Sequence, residues 1–257
     1  MKVPSLSFCI TCKNRFHQIS KTLQKNLDDN RMFKDLMEFV LVDFGSTDGL
    51  RDWIVEHFRN ELKENYLKYY YTDELPFWHC SIAKNTSHLL AKNEILVNLD
   101  CDNYTGYNGG RFVIRQWLKH REKIVLHQFD GNYWCGSYGR IATDRDTFRK
   151  FGGYDESFEP ASMQDEDLIN RLTGAGLKYV YIPDERYNRA IKNGKEETIA
   201  YVRSEMDYEE MVLKNRAISE KNLKAGNWTV NNGQWGIRKN LFDLEGRIIN
   251  ITEEQPQ

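Results

Sequence analysis

The sequence predicts an α/β fold, a mostly parallel central sheet with helices on both faces. Three observations carry this. Strand-like and helix-like patterns alternate from Leu6 to Asp100, the order that builds parallel sheets. The apolar runs are short and read as buried strands. Polar residues cluster just after each run, where open α/β sheets place their ligands.

The elements follow in order. LSFCIT (6–11) reads as a buried strand, and Phe16, Ile19, Leu23 and Leu27 mark a helix over 15–27. EFVLVD (38–43) is a second strand running into the turn GSTDG (45–49), whose Thr47 or Asp48 is expected to cap the helix LRDWIVEHF. YLKYYY (66–71) is a third strand, SIAKNTSHLLAK (81–92) a helix and EILVNLD (94–100) a fourth strand. Beyond it, HQFDGNYWCGSYGRIA (127–142) reads as short strands and turns, and TDRDTFRK as a short helix stopped by Gly152 and Gly153. QDEDLINRLTGAG reads as a helix with an acidic first turn, and KYVYIP as a late strand. From about residue 195 the pattern changes to a charged helical stretch (196–223), followed by a hairpin or lid containing Trp228 and Trp235. The expected organisation is one domain over 1–194 with a C-terminal extension over 195–257, either a mobile cover or a packing segment.

Composition narrows the function. A chain of 257 residues with 36 basic and 38 acidic side chains gives nothing that asks for nucleic acid. No apolar run approaches the roughly 20 residues that span a bilayer, and MKVPSLSFCI lacks a signal-peptide pattern. Five scattered cysteines, an odd count, fit free thiols in a cytoplasmic protein, with peripheral contact at the inner face of a membrane still open. Cys9 and Cys12 form a CxxC, but in a strand residues three apart face opposite sides, which argues against a shared metal. Aromatic residues reach 13%, and solvent-facing rings are a common way to hold a sugar.

NLDCDN (98–103) is the most informative stretch. Asp100 and Asp102 end an apolar run and, two apart, can face one volume. Neighbouring carboxylates raise each other's pKa unless a cation lies between them, and Mg²⁺ or Mn²⁺ with oxygen ligands is the usual remedy. Capping of a turn is the plainer alternative.

With these elements in place the chain resembles the family-2 glycosyltransferases of GT-A fold over roughly residues 5–190. FCITCKN (8–14) resembles the first strand and nucleotide-binding turn, and FVLVDFGSTDG (39–49) the "VVDDGSTDG" element with Phe44 for an aspartate. SIAKN (81–85) is similar to "ARN", NLDCDN to the DxD motif, and FGGYDESF with QDEDLINRL to the "GGFDE…GEDxDLxxRL" block. The resemblance implies a metal-dependent inverting transferase. It would move a sugar from a nucleotide-sugar, foremost a UDP-sugar, to a hydroxyl of a glycan or glycolipid in polysaccharide biosynthesis.

It also implies roles. Thr11, Lys13 and Arg15 would form the nucleotide turn, Asp43 would meet the base, and Lys84 would sit near the diphosphate or uracil. Asp100 would contact ribose or a metal-bound water, Asp102 would ligate Mn²⁺ or Mg²⁺, and Asp165 would be the general base. Glu166 and Asp167 are its rivals, and a helix N-terminus favoured by the dipole is the structural alternative for all three. Asp155 is expected to be structural. Gln164 replaces the family's glutamate beside the acceptor, and Trp134 falls where such enzymes contact acceptors. Trp78 either lines the donor pocket or belongs to the core. All six histidines precede QDEDL, so a downstream histidine ligand is replaced by water, Asn188, Asn193 or an acidic residue. The GGYDE…QDEDL arrangement resembles that of the galactosyl- and N-acetylgalactosaminyltransferase branch, which would imply such a donor.

Two rivals are weighed. A sugar-nucleotidyltransferase needs a glycine-rich loop after the first strand, and no glycine precedes Gly45. A catalytically impaired carbohydrate- or partner-binding relative is favoured by Phe44 and Gln164 and opposed by Asp100, Asp102 and Asp165.

Overall fold

A computed structural model describes residues 2–120, 123–129, 131–132 and 136–251. The elements run β1 (Leu6–Cys12), α1 (Phe16–Asn30), a 3₁₀ turn (Arg31–Leu36), β2 (Met37–Asp43), α2 (Leu50–His57), α3 (Arg59–Lys63), β3 (Leu67–Tyr71), α4 (Cys80–Leu90) and β4 (Ile95–Asn98). There follow α5 (Gly109–Lys119), β5 (Ile124–Gln128), β6 (Ile141–Asp144), α6 (Arg145–Lys150), α7 (Gln164–Gly174), β7 (Lys178–Ile182), α8 (Lys195–Ile199), α9 (Tyr208–Lys224) and β8 (Phe242–Asp243). They form one eight-stranded sheet in the order β7-β5-β6-β4-β1-β2-β3-β8.

The centre is parallel: β4, β1, β2 and β3 lie side by side, and β1 is buried along its whole length. Parallel neighbours on both edges and helices on both faces leave no solvent face, which is why LSFCIT shows no alternation of polarity. Two apolar layers result. Phe8, Ile10, Cys12, Phe39 and Leu41 pack with Ile19, Leu23 and Leu27 of α1. Cys9, Val40, Val42 and Leu96 pack with Ala83, Leu89, Phe148 and Leu168 on the other side. Cys9 and Cys12 thus stand on opposite faces, as a strand requires. The sheet departs from parallel where β6 runs antiparallel between β4 and β5, and where β8 adds antiparallel to β3.

Three sequence expectations meet a different structure. Neither Thr47 nor Asp48 caps α2, whose N-cap is Gly49 without a side-chain bond. Because β1 and β2 are neighbours, the two strand-end turns touch. Asp48 instead accepts the Phe16 N–H at 2.8 Å, at the start of α1, and Asn14 Oδ1 accepts the Thr47 N–H at 2.7 Å. The α5 helix and the β5 strand have no counterpart in the sequence reading. The charged stretch 196–223 is two helices separated by residues 200–207.

The C-terminal segment packs on the core. Gly152, at φ +77°, lies against Val230, whose carbonyl would stand 2.0 Å from any added Cβ. Trp235 is buried against Phe148, and Leu241–Ile249 form a small hairpin whose inner arm, β8, pairs with β3. Among the described residues no helix is long and apolar enough to cross a membrane.

Candidate active site

The carboxyl ends of β1 and β4 open into a cavity of about 550 Å³. Its polar wall includes eight residues that the sequence singles out, namely Thr11, Lys13, Arg15, Lys84, Asp100, Asp102, Gln164 and Asp165. Asp43 is brought near but not into the cavity. It is fully buried at the end of β2, where it accepts from the Ser46 N–H at 2.8 Å and the Tyr69 hydroxyl at 2.7 Å. Burial raises its pKa despite those bonds. Burial lowers the Lys13 pKa, the same carboxylate opposing, and the Lys13 ammonium donates to the carbonyls of Phe44 at 2.6 Å and Leu75 at 3.2 Å. Phe44 is core, edge-on to Trp78, and Trp78 both packs there and lines the cavity.

At the floor three charges from three elements converge. Lys84 of α4 donates to Asp165 Oδ1 at 2.8 Å and Oδ2 at 3.1 Å and lies 3.6 Å from Asp100 Oδ1. Lys84 is 4% exposed and Asp165 9%. Burial alone would strip the proton from a lysine, but Asp100 and Asp165 overrule it and hold Lys84 as an ammonium. Burial raises the Asp165 pKa, with Lys84 opposing. Asn98, one turn of strand before Asp100, donates to Asp100 Oδ1 at 3.0 Å and to the Gly139 carbonyl at 2.8 Å. Gly139 closes over the cluster. A Cβ there would stand 2.8 Å from Asp100 Oδ2, 2.9 Å from Lys84 Nζ and 3.1 Å from Asp165 Oδ2.

Asp165 owes its position to the turn before α7. Ser162 and Met163 both adopt left-handed backbone, at φ 79° and 67°, which non-glycine residues enter at a cost. The Asn215 side chain, buried on α9, donates to the carbonyls of Glu159, Ala161 and Ser162 at 3.2, 3.0 and 3.0 Å and so holds that turn. Gln164 donates to Asp165 Oδ2 at 3.1 Å, while its own Oε1 is buried without a partner. Of the rivals for the base, Glu166 lines the cavity and Asp167 does not. Asp167 is fully buried, paired with Arg171 at 2.6 Å and receiving the Ser219 hydroxyl at 2.7 Å. Asp155 is a fastening residue, bonded to Ser157 and Asn222.

Asp102 is 6% exposed. Burial, and then repulsion from Asp100, push its pKa up to about 6. Asn103 donates to Oδ1 at 2.6 Å, Asn193 bonds Oδ2, and Arg15 lies 3.9 Å away. Asn193 arrives because the chain after β7 runs beside the turn, with the Ile191 N–H on the Asp102 carbonyl at 2.8 Å. Asn188 instead donates to the Ile182 carbonyl. Among the described residues no group of three or more His, Cys, Asp or Glu side chains could hold a metal. The donor set is two carboxylates, one destabilised by the other, facing a cavity with room for phosphates. That fits a hard cation taking one or two protein oxygens and completing its shell with substrate and water.

Further parts of the wall were not singled out in the sequence, among them Tyr138, Met163, Glu197, Tyr201, Tyr208, Val212 and Arg216. The spacing 208, 212, 216, four apart in a helical pattern, is the signal that could have found the last three. Glu197 is tied to α1 through its carbonyl to Arg15 at 2.6 Å and its carboxylate to His17 at 2.6 Å. Trp228 packs on Gly174 and Trp235 on the core, and neither lines the cavity. Trp134 lies outside the described residues.

A family model described as "Glycosyl transferase family 2" matches residues 7–167. No curated protein matches the sequence. Among solved structures, the chain is similar to TarS of S. aureus (1–349) in complex with UDP-GlcNAc, with TM-score 0.61, 18% identity, and 77% of this chain and 62% of that one covered. It is also similar to the mannosyltransferase PcManGT from Pyrobaculum calidifontis in complex with GDP-Man and Mn²⁺, with TM-score 0.55, 18% identity, and 72% and 56% covered. The chain therefore spans about three fifths of the length of these structures.

Proposed function

The chain belongs to glycosyl transferase family 2 and has the GT-A fold, and from that premise we propose a metal-dependent inverting transferase that moves a hexosyl group from a UDP-sugar to a hydroxyl of a glycan or glycolipid. The observation that carries the proposal is the Lys84 ammonium held between Asp100 and Asp165 on the cavity floor.

In the reaction the acceptor oxygen forms a bond to the anomeric carbon as the bond to the diphosphate oxygen breaks. The acceptor proton passes to Asp165, whose raised pKa brings it closer to the working pH of a general base. The two oxygens of Asp165 accept from Lys84 and Gln164 and keep lone pairs for that proton. Gln164 Oε1, buried and unpartnered, is placed to accept a hydrogen bond from an acceptor hydroxyl. Lys84 and Arg15 supply positive charge where the leaving diphosphate gathers negative charge. Lys13 and Thr11 line the nucleotide end, with Asp43 behind Lys13. Asp102, with Asp100, would hold Mn²⁺ or Mg²⁺, which supplies Lewis-acid stabilisation of the leaving group. One base on the face opposite the leaving group gives inversion.

The extension divides by its contacts. α9 and the chain beyond it are fastened by buried side chains, so any closure over donor falls to the stretch 193–201. That stretch meets α1 through hydrogen bonds, from buried Gln18 to Asn193 and Glu197, from Arg15 to the Glu197 carbonyl and between His17 and the Glu197 carboxylate.

The test is thermal shift with UDP, GDP and their sugars, in Mn²⁺ and in EDTA. At about a hundredfold excess over Kd, binding stabilises by about 2.7 kcal/mol, or roughly 5–10 °C for a domain of this size. UDP should give that shift in Mn²⁺ only, and Asp102→Ala should abolish it. Equal shifts in EDTA and Mn²⁺ would overturn the metal dependence, and a shift with GDP alone would overturn the donor class.

A further inference from the structure

α9 carries two neighbouring stripes with different tasks. Met211, Asn215 and Ser219 are its buried residues. They fasten the helix, with Asn215 on the turn before α7 and the Ser219 hydroxyl on Asp167 at 2.7 Å. One residue round, Tyr208, Val212 and Arg216 line the cavity. Residues four apart share one helix face, so these three form a continuous strip of ring, isopropyl group and guanidinium. The strip lies beyond residue 167, outside the region that matches the family model.

We propose that this strip is the acceptor subsite and that it takes a sugar bearing an anionic substituent, a carboxylate or a phosphate. The inference rests on the transferase reading above and adds the class of acceptor to it.

Position argues for the acceptor rather than the donor. Asn215, the chain neighbour of Arg216, bonds the Ser162 carbonyl at 3.0 Å, three residues before Asp165. Arg216, an exposed side chain, therefore lines the mouth of the cavity at the end that holds the base, whereas Arg15 and Lys13 sit at the strand-end turn that the transferase reading gives to the nucleotide. Charge argues for an anion. Among the described residues Arg216 makes no hydrogen bond or ion pair, although Glu166 lines the same cavity. Asp165 at that end already has Lys84. A guanidinium without a partner presents a planar fork that matches a carboxylate or phosphate with two parallel hydrogen bonds. Tyr208 and Val212 supply the apolar surface on which the less polar face of a pyranose can rest. The fastening stripe keeps the strip preformed, so little ordering is needed when acceptor binds.

The test is steady-state release of UDP by the full chain in Mn²⁺, with the UDP-sugar that gives the largest thermal shift. The acceptors are matched methyl glucosides and galactosides in three forms: neutral, uronic acid and 6-phosphate. The two anionic forms show which anion is preferred. An anionic form should stimulate release with a KM about tenfold below that of its neutral counterpart. Arg216→Ala should erase that difference by raising the anionic KM about tenfold, with donor KM held within a factor of two, and Arg216→Lys should recover part of it. The proposal is overturned if no anionic form outperforms the neutral one, or if Arg216→Ala raises donor KM as much as acceptor KM. If no nucleotide-sugar binds in any condition, it is the transferase reading that fails.

Discussion

Asp165 and Asp167 stand two residues apart on the first turn of α7, both buried, both paired with a cation, yet they belong to different regions of the molecule. Asp167 points into the seam between α7 and α9. Its partner Arg171 is itself 0% exposed and also donates to the carbonyls of Phe151, Trp228 and Gly153, so most of the polar groups there are engaged. Asp165 points at the cavity. It shares Lys84 with Asp100, its neighbour Gln164 keeps an orphan oxygen, and its pKa is raised. The difference teaches that burial and ion pairing do not mark a functional carboxylate. Under-satisfaction beside empty space does, because the missing partners are those that substrate brings.

Substitution of each residue tests the contrast most strongly. Asp165→Asn should lower kcat about 10²–10⁴-fold, with the denaturant midpoint little changed because Lys84 keeps Asp100 as a counter-charge and the cost of burying the Asp165 charge disappears. In the parent, activity should fall about tenfold per unit as pH drops below the Asp165 pKa. This limb should lie above the ordinary aspartate value of about 3.9, and Asp165→Asn should lack it. A pH-rate profile that keeps the limb in the variant would move the base elsewhere, and Glu166, which lines the same cavity, would be examined next. Asp167→Asn should do the reverse. It leaves the buried Arg171 charge uncompensated and should cost about 3–5 kcal/mol in urea unfolding, with the specific activity of the folded fraction preserved.

A third carboxylate sharpens the comparison. Asp102 titrates at about 6 in the fold against about 3.9 unfolded, so the folded state binds its proton more tightly. Its charge therefore destabilises the metal-free protein above pH 6, and that penalty disappears as pH falls toward 4. The gap of about two units corresponds to roughly 3 kcal/mol as an upper figure. Asp102→Asn should stabilise the metal-free chain by up to that amount at pH 7.5, and the gain should shrink at pH 5. Equal midpoints at pH 7.5 would show that Arg15 and Asn193 already compensate the charge.

The smallest effect expected is from Gly139→Ala. The new methyl group would press on Asp100, Lys84 and Asp165 together. The rate should fall about tenfold, a barrier change of about 1.4 kcal/mol, with little change in midpoint because Gly139 is not among the glycines with left-handed backbone. An unchanged rate would mean that the three side chains have slack.

The four parallel strands and their helices were legible because a fully buried strand leaves an apolar run that nothing else explains. The polar wall was legible because strand-end residues share one address in such sheets. Much of the second half was not. β6 inserts antiparallel between β4 and β5, a pairing set by tertiary contacts and not by local pattern. Asp48 reached sideways to α1, which only the adjacency of β1 and β2 explains. Gly139 carries no chemistry to read, and its importance comes from what its absent side chain leaves room for. Arg216, Val212 and Tyr208 were hidden in a stretch whose charge density reads as a solvated helix.

The left-handed pair Ser162–Met163 has a consequence for heat. Each such residue costs roughly 1–3 kcal/mol, and the Asn215 bonds that oppose this are worth about 0.5–1.5 kcal/mol each. The two nearly cancel, so the turn can slip from Asn215 for far less than global unfolding requires, while Met211 and the Ser219 bond to Asp167 keep α9 seated. When the turn slips, it relaxes and Asp165 leaves its place while the eight-stranded sheet stays whole. Warming should therefore switch transfer off several degrees before the circular dichroism of the sheet begins to change, and cooling should restore it without a refolding lag.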